Sequence, residues 1–386
     1  MIFYLLTGSL LGFISWGHDI SLTLLSVLLF FAYLRIGKRL YLFLFALGYY
    51  LAGSKGLLFG TIEYYGETWI GLFNWLSAAT LSALGWNIVW SANKKKRYLL
   101  FPFALSIQIL PPLGLVSWIN PLPTAGLIFP KFGYLGMILL ILLVYIASIL
   151  INRTKQDLQK LKLAGLFTIL FIFGFGVSRI MNPAGESIET VKTAFQYDSN
   201  KLDRLQDFIR ITKYLRKVSN SNKREILLPE NALGYYFDSQ SIAWKELNRS
   251  KSIYAGAYLP ISGTKHYDNV LMQIDSNNSK VLYHQRVPVP VSMWRPFTNT
   301  GARATIYKDP VIKLNQEKVG VFICYEQLLT YLYLQTMYYH PKKLFGISNL
   351  YWAKGTNIER IQSQTLELYG LLFGVEVYYS VNEEYF

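Results

Sequence analysis

The chain has 386 residues, a formal net charge of +15 and a single cysteine, and 52% of its residues are hydrophobic. One cysteine excludes an internal disulfide and a cysteine-rich zinc site. The four histidines are scattered without the HExxH spacing of a zinc-binding helix, so we expect no metal and no cofactor. The basic residues form no stripe interleaved with aromatic side chains, so we expect no direct contact with nucleic acid.

Long apolar runs lie in the first half of the chain and predict an N-terminal polytopic α-helical membrane domain at residues 1–181. The candidate spans are 2–17, 20–34, 40–53, 68–91, 98–119, 132–151 and 163–181. The third run is shorter than the about 20 residues that a helix needs to cross a bilayer. The pattern therefore predicts six or seven spans.

Basic residues are concentrated in every second loop between these runs. They are Arg35, Lys38 and Arg39, then the run at 94–97, then Arg153, Lys155, Lys160 and Lys162. Loops of this kind stay in the cytoplasm. The alternation therefore predicts a cytoplasmic N-terminus in a bacterial inner membrane, with residues 182–386 in the periplasm.

The predicted outer loop at 111–136 is apolar but rich in proline and glycine. Non-helical backbone at membrane depth must pack on protein or line a cavity. Two interpretations stay open: a lipid-facing platform beneath the soluble domain, or an ordinary re-entrant connector.

The second half of the chain alternates predicted strands and helices after a polar linker at 182–200, which is typical of an α/β domain. The predicted helices are 201–218, 327–337 and 357–373. The predicted strands are 225–228, 252–259, 269–275, 280–284, 319–323, 344–348 and 375–381.

The single cysteine, Cys324, lies between the apolar strand 319–323 and the predicted helix 327–337. Backbone N–H groups and the helix dipole at such a turn favour a thiolate and an oxyanion. These features indicate a nucleophile, although a lone buried cysteine is more often a small hydrophobic residue. Glu230 follows a strand and a proline, where a carboxylate would serve as general base; a surface turn is the alternative.

Four short motifs together resemble the nitrilase superfamily and, within it, the membrane-bound apolipoprotein N-acyltransferases. They are Pro229-Glu230-Asn231-Ala232-Leu233, Tyr283-His284-Gln285-Arg286 with Val289-Pro290, Ile323-Cys324-Tyr325-Glu326, and Ser348-Asn349 with Trp352. The resemblance implies a nitrilase-like α-β-β-α sandwich with Cys324 as nucleophile, Glu230 as base and Glu326 as a polar group near the cysteine. It also implies a membrane lipid or lipoprotein-like substrate, whose acyl group passes through a thioester to an amine or to water.

The sequence departs from this family at two charged positions. The family's catalytic lysine corresponds to Gln285, and its second glutamate corresponds to Met293. A neutral amide at Gln285 would make only a weak polar contact with a thiolate. Arg286 is the next residue in the strand, so its side chain is expected on the opposite face. The acyltransferases also continue beyond the last residues of this chain with more strand and a span, so the chain is either shortened or incomplete.

Strings at 119–122, 283–290 and 324–329 resemble the conjugal-transfer TraB-type branch, which is encoded with plasmid-transfer systems. This branch implies conjugation-apparatus proteins as partners. Two functions stay open: thiol-dependent amide or ester cleavage or N-acyl transfer, and a non-catalytic conjugal-transfer component that keeps the fold to bind a lipid or partner. A transporter is a weaker third interpretation, because the spans contain almost no ionisable groups.

Overall fold

The computed structural model describes residues 1–153, 157–194, 204–236, 244, 251–276 and 278–383. The chain divides into two compact units. The first comprises Met1–Pro183, Leu328–Tyr333 and Gly355–Val375, and the second comprises Ala184–Gln327, Leu334–Lys354 and Glu376–Phe386. The segment at 355–375 therefore belongs to the first, helical unit, although the sequence analysis assigned it to the α/β half.

The α-helices of the first unit follow the apolar runs, except that Lys55–Tyr65 and Ala125–Ile128 are helical outside every predicted span and two runs are α-helical only in part. The bounds of the described α-helices in both units are α1 Ile2–Ser15, α2 Leu28–Arg35, α3 Arg39–Gly53, α4 Lys55–Tyr65, α5 Thr68–Ile88, α6 Lys94–Ile109, α7 Ala125–Ile128, α8 Gly133–Arg153, α9 Asp157–Ile180, α10 Arg204–Asn220, α11 Thr330–Met337 and α12 Ile358–Phe373. The run at 20–34 begins as a 3-10 helix, Ile20–Val27. The run at 98–119 stops being helical at Ile109, because two prolines follow.

Helices α1 and α3 approach each other closely at glycine residues. A Cβ atom added at Gly8 would lie 1.9 Å from the carbonyl oxygen of Phe45. One added at Gly12 would lie 2.1 Å from the carbonyl oxygen of Tyr49. Small residues spaced four apart let helices pack in this way inside membranes.

By length and composition, one described helical stretch, Gly133–Ile151 in α8, is able to cross a membrane, with a mean hydropathy of 2.7. Helices α3 and α4 pass the same test together, although they are bent by 52° relative to each other. Three further apolar helical stretches, Ile2–Ser15, Ile20–Arg35 and Thr168–Ile180, are shorter than a single span.

The proline-rich loop at 111–136 packs inside the first unit. It forms two short 3-10 helices, Leu113–Leu115 and Leu122–Thr124, and then α7. Residues 117–127 are buried, and the Tyr49 hydroxyl donates a hydrogen bond of 2.8 Å to the carbonyl oxygen of Ile119. Much of this non-helical backbone is thus covered by protein.

The second unit contains two β-sheets. Their strands are β1 Glu189–Thr190, β2 Lys192–Thr193, β3 Glu225–Leu227, β4 Ser252–Pro260, β5 Lys265–Ile274, β6 Ser279–His284, β7 Thr300–Ala302, β8 Val311–Leu314, β9 Glu317–Ile323, β10 Lys343–Asn349 and β11 Glu376–Asn382. Sheet I has the order β1-β3-β4-β5-β6, with β7 beside β5. Sheet II has the order β2-β11-β10-β9-β8, in which β9, β10 and β11 are parallel.

The two sheets contact each other, and helices pack against them. The rings of Tyr254 in β4 and Phe345 in β10 lie 5.7 Å apart between centroids. Helix α10 places Tyr214 and Val218 in the hydrophobic core of sheet I. On sheet II, Gly320 lets the β9 backbone approach Thr336 of α11. The unit is a mixed α/β fold, as the alternating pattern predicted.

We predict that Gly12→Ala lowers the thermal unfolding midpoint of the purified protein. The added methyl group would clash with the backbone carbonyl of Tyr49, which cannot move aside as a flexible side chain could. We expect the clash to lower the free energy of unfolding by about 1–3 kcal/mol. Gly176→Ala in α9 is the control, since a Cβ atom there meets nothing within 4 Å and alanine favours a helix. Equal effects of the two substitutions would contradict the close α1–α3 packing.

Candidate active site

Cys324 stands at the end of β9, where the chain leaves sheet II. Residues 319–323 of this strand are all buried, as expected for a strand covered on both faces. Cys324 has φ of +50°, which is unusual for a residue with a side chain and costs about 1–3 kcal/mol. The chain then forms a 3-10 helix, Cys324–Leu328, before α11 begins at Thr330. The predicted helix 327–337 is therefore two helices.

Glu230 lies in the turn that follows β3. Its neighbour Asn231 has φ of +57°, a conformation that asparagine tolerates better than most residues. A Cβ atom on Gly256 of β4 would lie 2.5 Å from the Cα atom of Glu230, so glycine there lets β4 pass close to the turn. The Glu230 side chain is directed into the protein, and the residue is 3% exposed.

Three groups donate hydrogen bonds to the Glu230 carboxylate. Asn269 Nδ2 lies 2.7 Å from Oε1 and the backbone N–H of Asn349 lies 2.9 Å from Oε2. The thiol of Cys324 is the third donor. Asn349 ends β10, the parallel neighbour of β9, so the carboxylate meets the carboxyl ends of both strands.

Gln285, at the position of the family's lysine, belongs to the same network. Its Oε1 accepts a hydrogen bond of 2.9 Å from Asn269 Nδ2, and its Nε2 donates one of 2.9 Å to the carbonyl oxygen of Ile323. Asn269 thus connects Gln285 to Glu230. Glu230, Gln285 and Cys324, which lie far apart in the sequence, converge on one buried network.

Burial raises the pKa of Glu230 to about 7 from its usual 4.5. The hydrogen bonds from Asn269, Asn349 and Cys324 oppose this effect, and the negative charge of Glu326 adds to it. Among the described residues, no lysine or arginine forms an ion pair with Glu230. A carboxylate with a pKa near neutral pH is suited to take a proton from a neighbouring thiol.

Glu326, two residues after the cysteine, is completely buried and anchors the turn. Its carboxylate accepts hydrogen bonds from the backbone N–H groups of Ile323, at 2.7 Å, and Arg286, at 2.6 Å. The hydroxyl of Tyr283 lies 3.0 Å from both carboxylate oxygens. Burial raises the pKa of Glu326, while the charge of Arg286 and these donors lower it. Glu326 therefore fixes the backbone beside Cys324 to the end of β6.

The buried cation of this region, Arg286, is directed away from Glu230. Its Nε donates to the Tyr283 hydroxyl at 2.8 Å and lies 3.9 Å from Glu326. Its terminal nitrogens donate to Gln335, at 2.9 Å, and Thr336, at 3.1 Å. Arg286 thus supports the Glu326 anchor, and the contacts around Glu230 and Gln285 are made by neutral groups.

The sequence did not single out Asn269 as part of the site. Asparagine at the start of an apolar strand carries no chemical signature. The hairpin register alone, with Ile274 opposite Ser279, would place position 269 opposite 284. An irregularity between Leu271 and Met272 shifts the pairing by one residue, and Asn269 therefore lies opposite Gln285. Among the described residues, no group of three or more His, Cys, Asp and Glu side chains is arranged to hold a metal ion.

No protein-family model matches the chain. The chain is 30% identical over 351 residues to a probable conjugal transfer protein TraB of Sinorhizobium fredii, covering 87% of this chain and 86% of that protein. It is 25% identical over 389 residues to conjugal transfer protein TraB of Agrobacterium fabrum, covering 96% and 90%.

Similar solved structures belong to enzymes with an active-site cysteine or to their superfamily. An amidase from Nesterenkonia sp., carrying an acetamide moiety at its active-site cysteine, is 13% identical with a TM-score of 0.38, over 53% of this chain and 80% of that one. A CN-hydrolase superfamily protein from Xanthomonas campestris is 10% identical with a TM-score of 0.36, over 50% and 75%. The family assignment rests on the sequence relatives alone.

The raised pKa of Glu230 predicts that stability falls as the pH rises. The folded protein keeps this proton between pH 4.5 and about 7, while the unfolded chain releases it. The contribution is therefore complete below pH 4.5 and lost as the pH rises through about 7, by about 3 kcal/mol. Glu230→Gln should remove this loss, because a neutral amide has no charge to bury.

The test compares thermal unfolding midpoints of wild type and Glu230→Gln across this pH range. Glutamine at 230 can still accept from the Asn349 N–H. If the Asn269 amide rotated, its Oδ1 would accept a hydrogen bond from the new glutamine side chain. This Oδ1 atom is buried and has no hydrogen-bond partner in the described structure. Glu186→Gln removes an exposed carboxylate as a control. Parallel curves for wild type and Glu230→Gln would contradict the raised pKa.

Proposed function

We propose a function from one premise: the chain belongs to the family of conjugal transfer proteins named TraB. The protein is a multi-pass protein of the bacterial inner membrane with a nitrilase-like domain in the periplasm. That domain carries out thiol-dependent amide or ester cleavage, or N-acyl transfer, in support of conjugal transfer. The observation that carries the proposal is the hydrogen bond between the Cys324 thiol and a carboxylate whose pKa is near 7.

In the first step, the Cys324 sulfur attacks the carbonyl carbon of an ester or amide while its proton passes to Glu230. The tetrahedral intermediate then collapses, the bond to the leaving oxygen or nitrogen breaks, and Glu230 returns the proton to the leaving group. An amine or a water molecule then attacks the resulting thioester and gives a proton to Glu230. The carbon–sulfur bond breaks, and Glu230 returns the proton to the Cys324 sulfur. Each step conserves the proton, and no oxidant or metal is required.

The groups that stabilise negative charge in this site are neutral. Asn269 donates its amide N–H groups to Glu230 and Gln285, Gln285 donates one to the carbonyl oxygen of Ile323, and the backbone after Cys324 supplies the start of a 3-10 helix. Removing one strong oxyanion donor costs roughly 10²–10³ in rate. We therefore expect a slower enzyme than relatives that have lysine at this position.

The surface of the helical unit supports insertion into a membrane. Several of its helices expose large apolar side chains: Phe3, Leu6 and Leu10 on α1, Phe73 and Leu76 on α5, and Ile138, Leu142 and Ile146 on α8. Soluble monomers rarely expose contiguous apolar patches of this kind. The glycine contacts between α1 and α3 are also typical of helix pairs within a bilayer.

Two of the predicted cytoplasmic loops lie together, which supports the proposed orientation. Arg97 Nη1 donates to the carbonyl oxygen of Ile36, and Arg39 Nη2 donates to that of Trp90 at 2.9 Å. The loop after α2 and the loop before α6 therefore share one side of the helical unit. The substrate that fits an inner-membrane enzyme of this kind is a membrane lipid or a lipoprotein-like molecule. The proposed partners are other proteins of the conjugation apparatus.

A second candidate function, a non-catalytic component that binds a lipid or partner, has a specific observation in its favour. Cys324 is 4% exposed, and no ion pair joins Glu230 to a cation in the described part of the chain. A site without a charged oxyanion donor and with a covered nucleophile would serve binding as well as catalysis.

The test that separates the two functions is acylation of the purified, detergent-solubilised full chain. The protein is incubated with p-nitrophenyl acetate at neutral pH and its intact mass is measured. We expect an acyl adduct on wild type that is absent from Cys324→Ser. Glu230→Gln should lower the rate of adduct formation by roughly 10²-fold or more, since general bases contribute factors of this size.

Gln285→Lys should raise the rate of adduct formation, because a cation beside Glu230 and Cys324 stabilises the thiolate. Gln273→Lys, the same exchange elsewhere in sheet I, is the control and should leave the rate unchanged. Absence of an adduct on both wild type and Gln285→Lys, together with full conjugal transfer by Cys324→Ala, would establish the binding function instead.

A further inference from the structure

Basic side chains surround one tryptophan of the helical unit, where the loop after α2 meets the start of α6. The guanidinium carbon of Arg97 lies 5.0 Å from the centroid of the Trp90 ring, and that of Arg39 lies 5.9 Å from it. Both distances are within the range of cation–π attraction. We call these three residues, together with Lys38, Lys94, Lys95 and Lys96, the Trp90 cluster.

The described part of the chain does not balance the positive charge of the Trp90 cluster. In the described part of the chain, no carboxylate pairs with its lysines or arginines. Residues 94–97 also occupy the first turn of α6, where the helix dipole is itself positive and no acidic residue is present. Like charges at this end of a helix oppose folding unless an anion binds there.

Two buried N–H donors of the cluster have no acceptor. Arg97 is 3% exposed, and its Nε has no hydrogen-bond partner in the described structure. Trp90 is 7% exposed, and its Nε1 also has no hydrogen-bond partner in the described structure. Burying such donors without an acceptor costs free energy, about 1–3 kcal/mol each. An anionic oxygen bound at these residues would accept from such a donor and would offset the surrounding positive charge.

Apolar side chains beside the cluster indicate which kind of molecule has the anionic group that binds there. Leu40 follows Arg39 and is 49% exposed, and Leu99 follows the basic run by two residues and is 73% exposed. A phospholipid offers a phosphate for the donors and acyl chains for the leucines. A nucleic-acid strand would need an aromatic face on which to stack its bases, and the Trp90 ring already contacts two guanidinium groups.

We propose that the Trp90 cluster binds the phosphate group of an anionic phospholipid. Guanidinium groups match phosphate oxygens in charge and geometry, and basic pockets between membrane helices on the cytoplasmic side bind such head groups. The bound lipid fixes the loop after α2 against the start of α6. This site is separate from the cysteine site and does not depend on its chemistry.

The test is the thermal unfolding midpoint of the full chain in a neutral detergent, titrated with dioleoylphosphatidylglycerol or dioleoylphosphatidylcholine. Wild type should be stabilised by the anionic lipid and much less by phosphatidylcholine, which has the same acyl chains. Trp90→Phe keeps an aromatic six-membered ring but removes the pyrrole ring with its Nε1 donor. It should leave the lipid-free midpoint unchanged or higher and raise the half-maximal concentration of phosphatidylglycerol about tenfold.

A triple variant, Lys94→Gln, Lys95→Gln and Lys96→Gln, should weaken the response in the same way. The control is Lys213→Gln, Lys217→Gln and Lys223→Gln, which removes equal charge from the other unit and should keep the wild-type response. Equal stabilisation by both lipids, or an equal loss in the control, would overturn the proposal. So would the full effect with inorganic phosphate or a single-stranded oligonucleotide, or a Trp90→Phe protein that is less stable without lipid yet responds normally.

Discussion

The site in the α/β unit depends on one constraint: a carboxylate is buried and pairs with no cation among the residues that the structure describes. Glu230 is held instead by an asparagine amide, a backbone N–H and a thiol. Neutral donors compensate only part of the cost of burying its charge, so its pKa rises to about 7. Because its pKa is near 7, the carboxylate is able to exchange a proton with Cys324 near neutral pH.

Two buried glutamates lie close to Cys324, and their surroundings give them different roles. Glu326 accepts three backbone N–H groups and a tyrosine hydroxyl beside Arg286, so it is a structural anchor of the turn. Glu230 has fewer donors and, in the described part of the chain, no ion pair with a cation, so it is the one suited to move a proton. Burial raises the pKa of both carboxyl groups, so their hydrogen-bond partners are what distinguish the two roles.

Much of this arrangement could be predicted from the sequence, and the reasons for the rest are physical. Cys324, Glu230 and Gln285 stand in motifs whose residue types are informative in themselves. Asn269 and Asn349 are not, because their contribution depends on strand register and on a single backbone N–H. The strands β1, β2 and β7 have two or three residues each, too few for any periodicity. The 3-10 helix after the cysteine follows from a positive φ that sequence patterns do not reveal. The apolar runs predicted the helices, but bends and packing decide their lengths. The relatives named TraB confirmed the predicted family.

The central claim is that Glu230 controls the protonation of Cys324. The most direct measurement is the rate constant for alkylation of Cys324 by iodoacetamide as a function of pH, in wild type and in Glu230→Gln. Because the carboxylate becomes a base as it ionises, the wild-type rate should rise in a step centred near pH 7. That step should be absent from the variant. An identical pH profile in the two proteins would show that Cys324 reacts independently of Glu230 and would contradict the account.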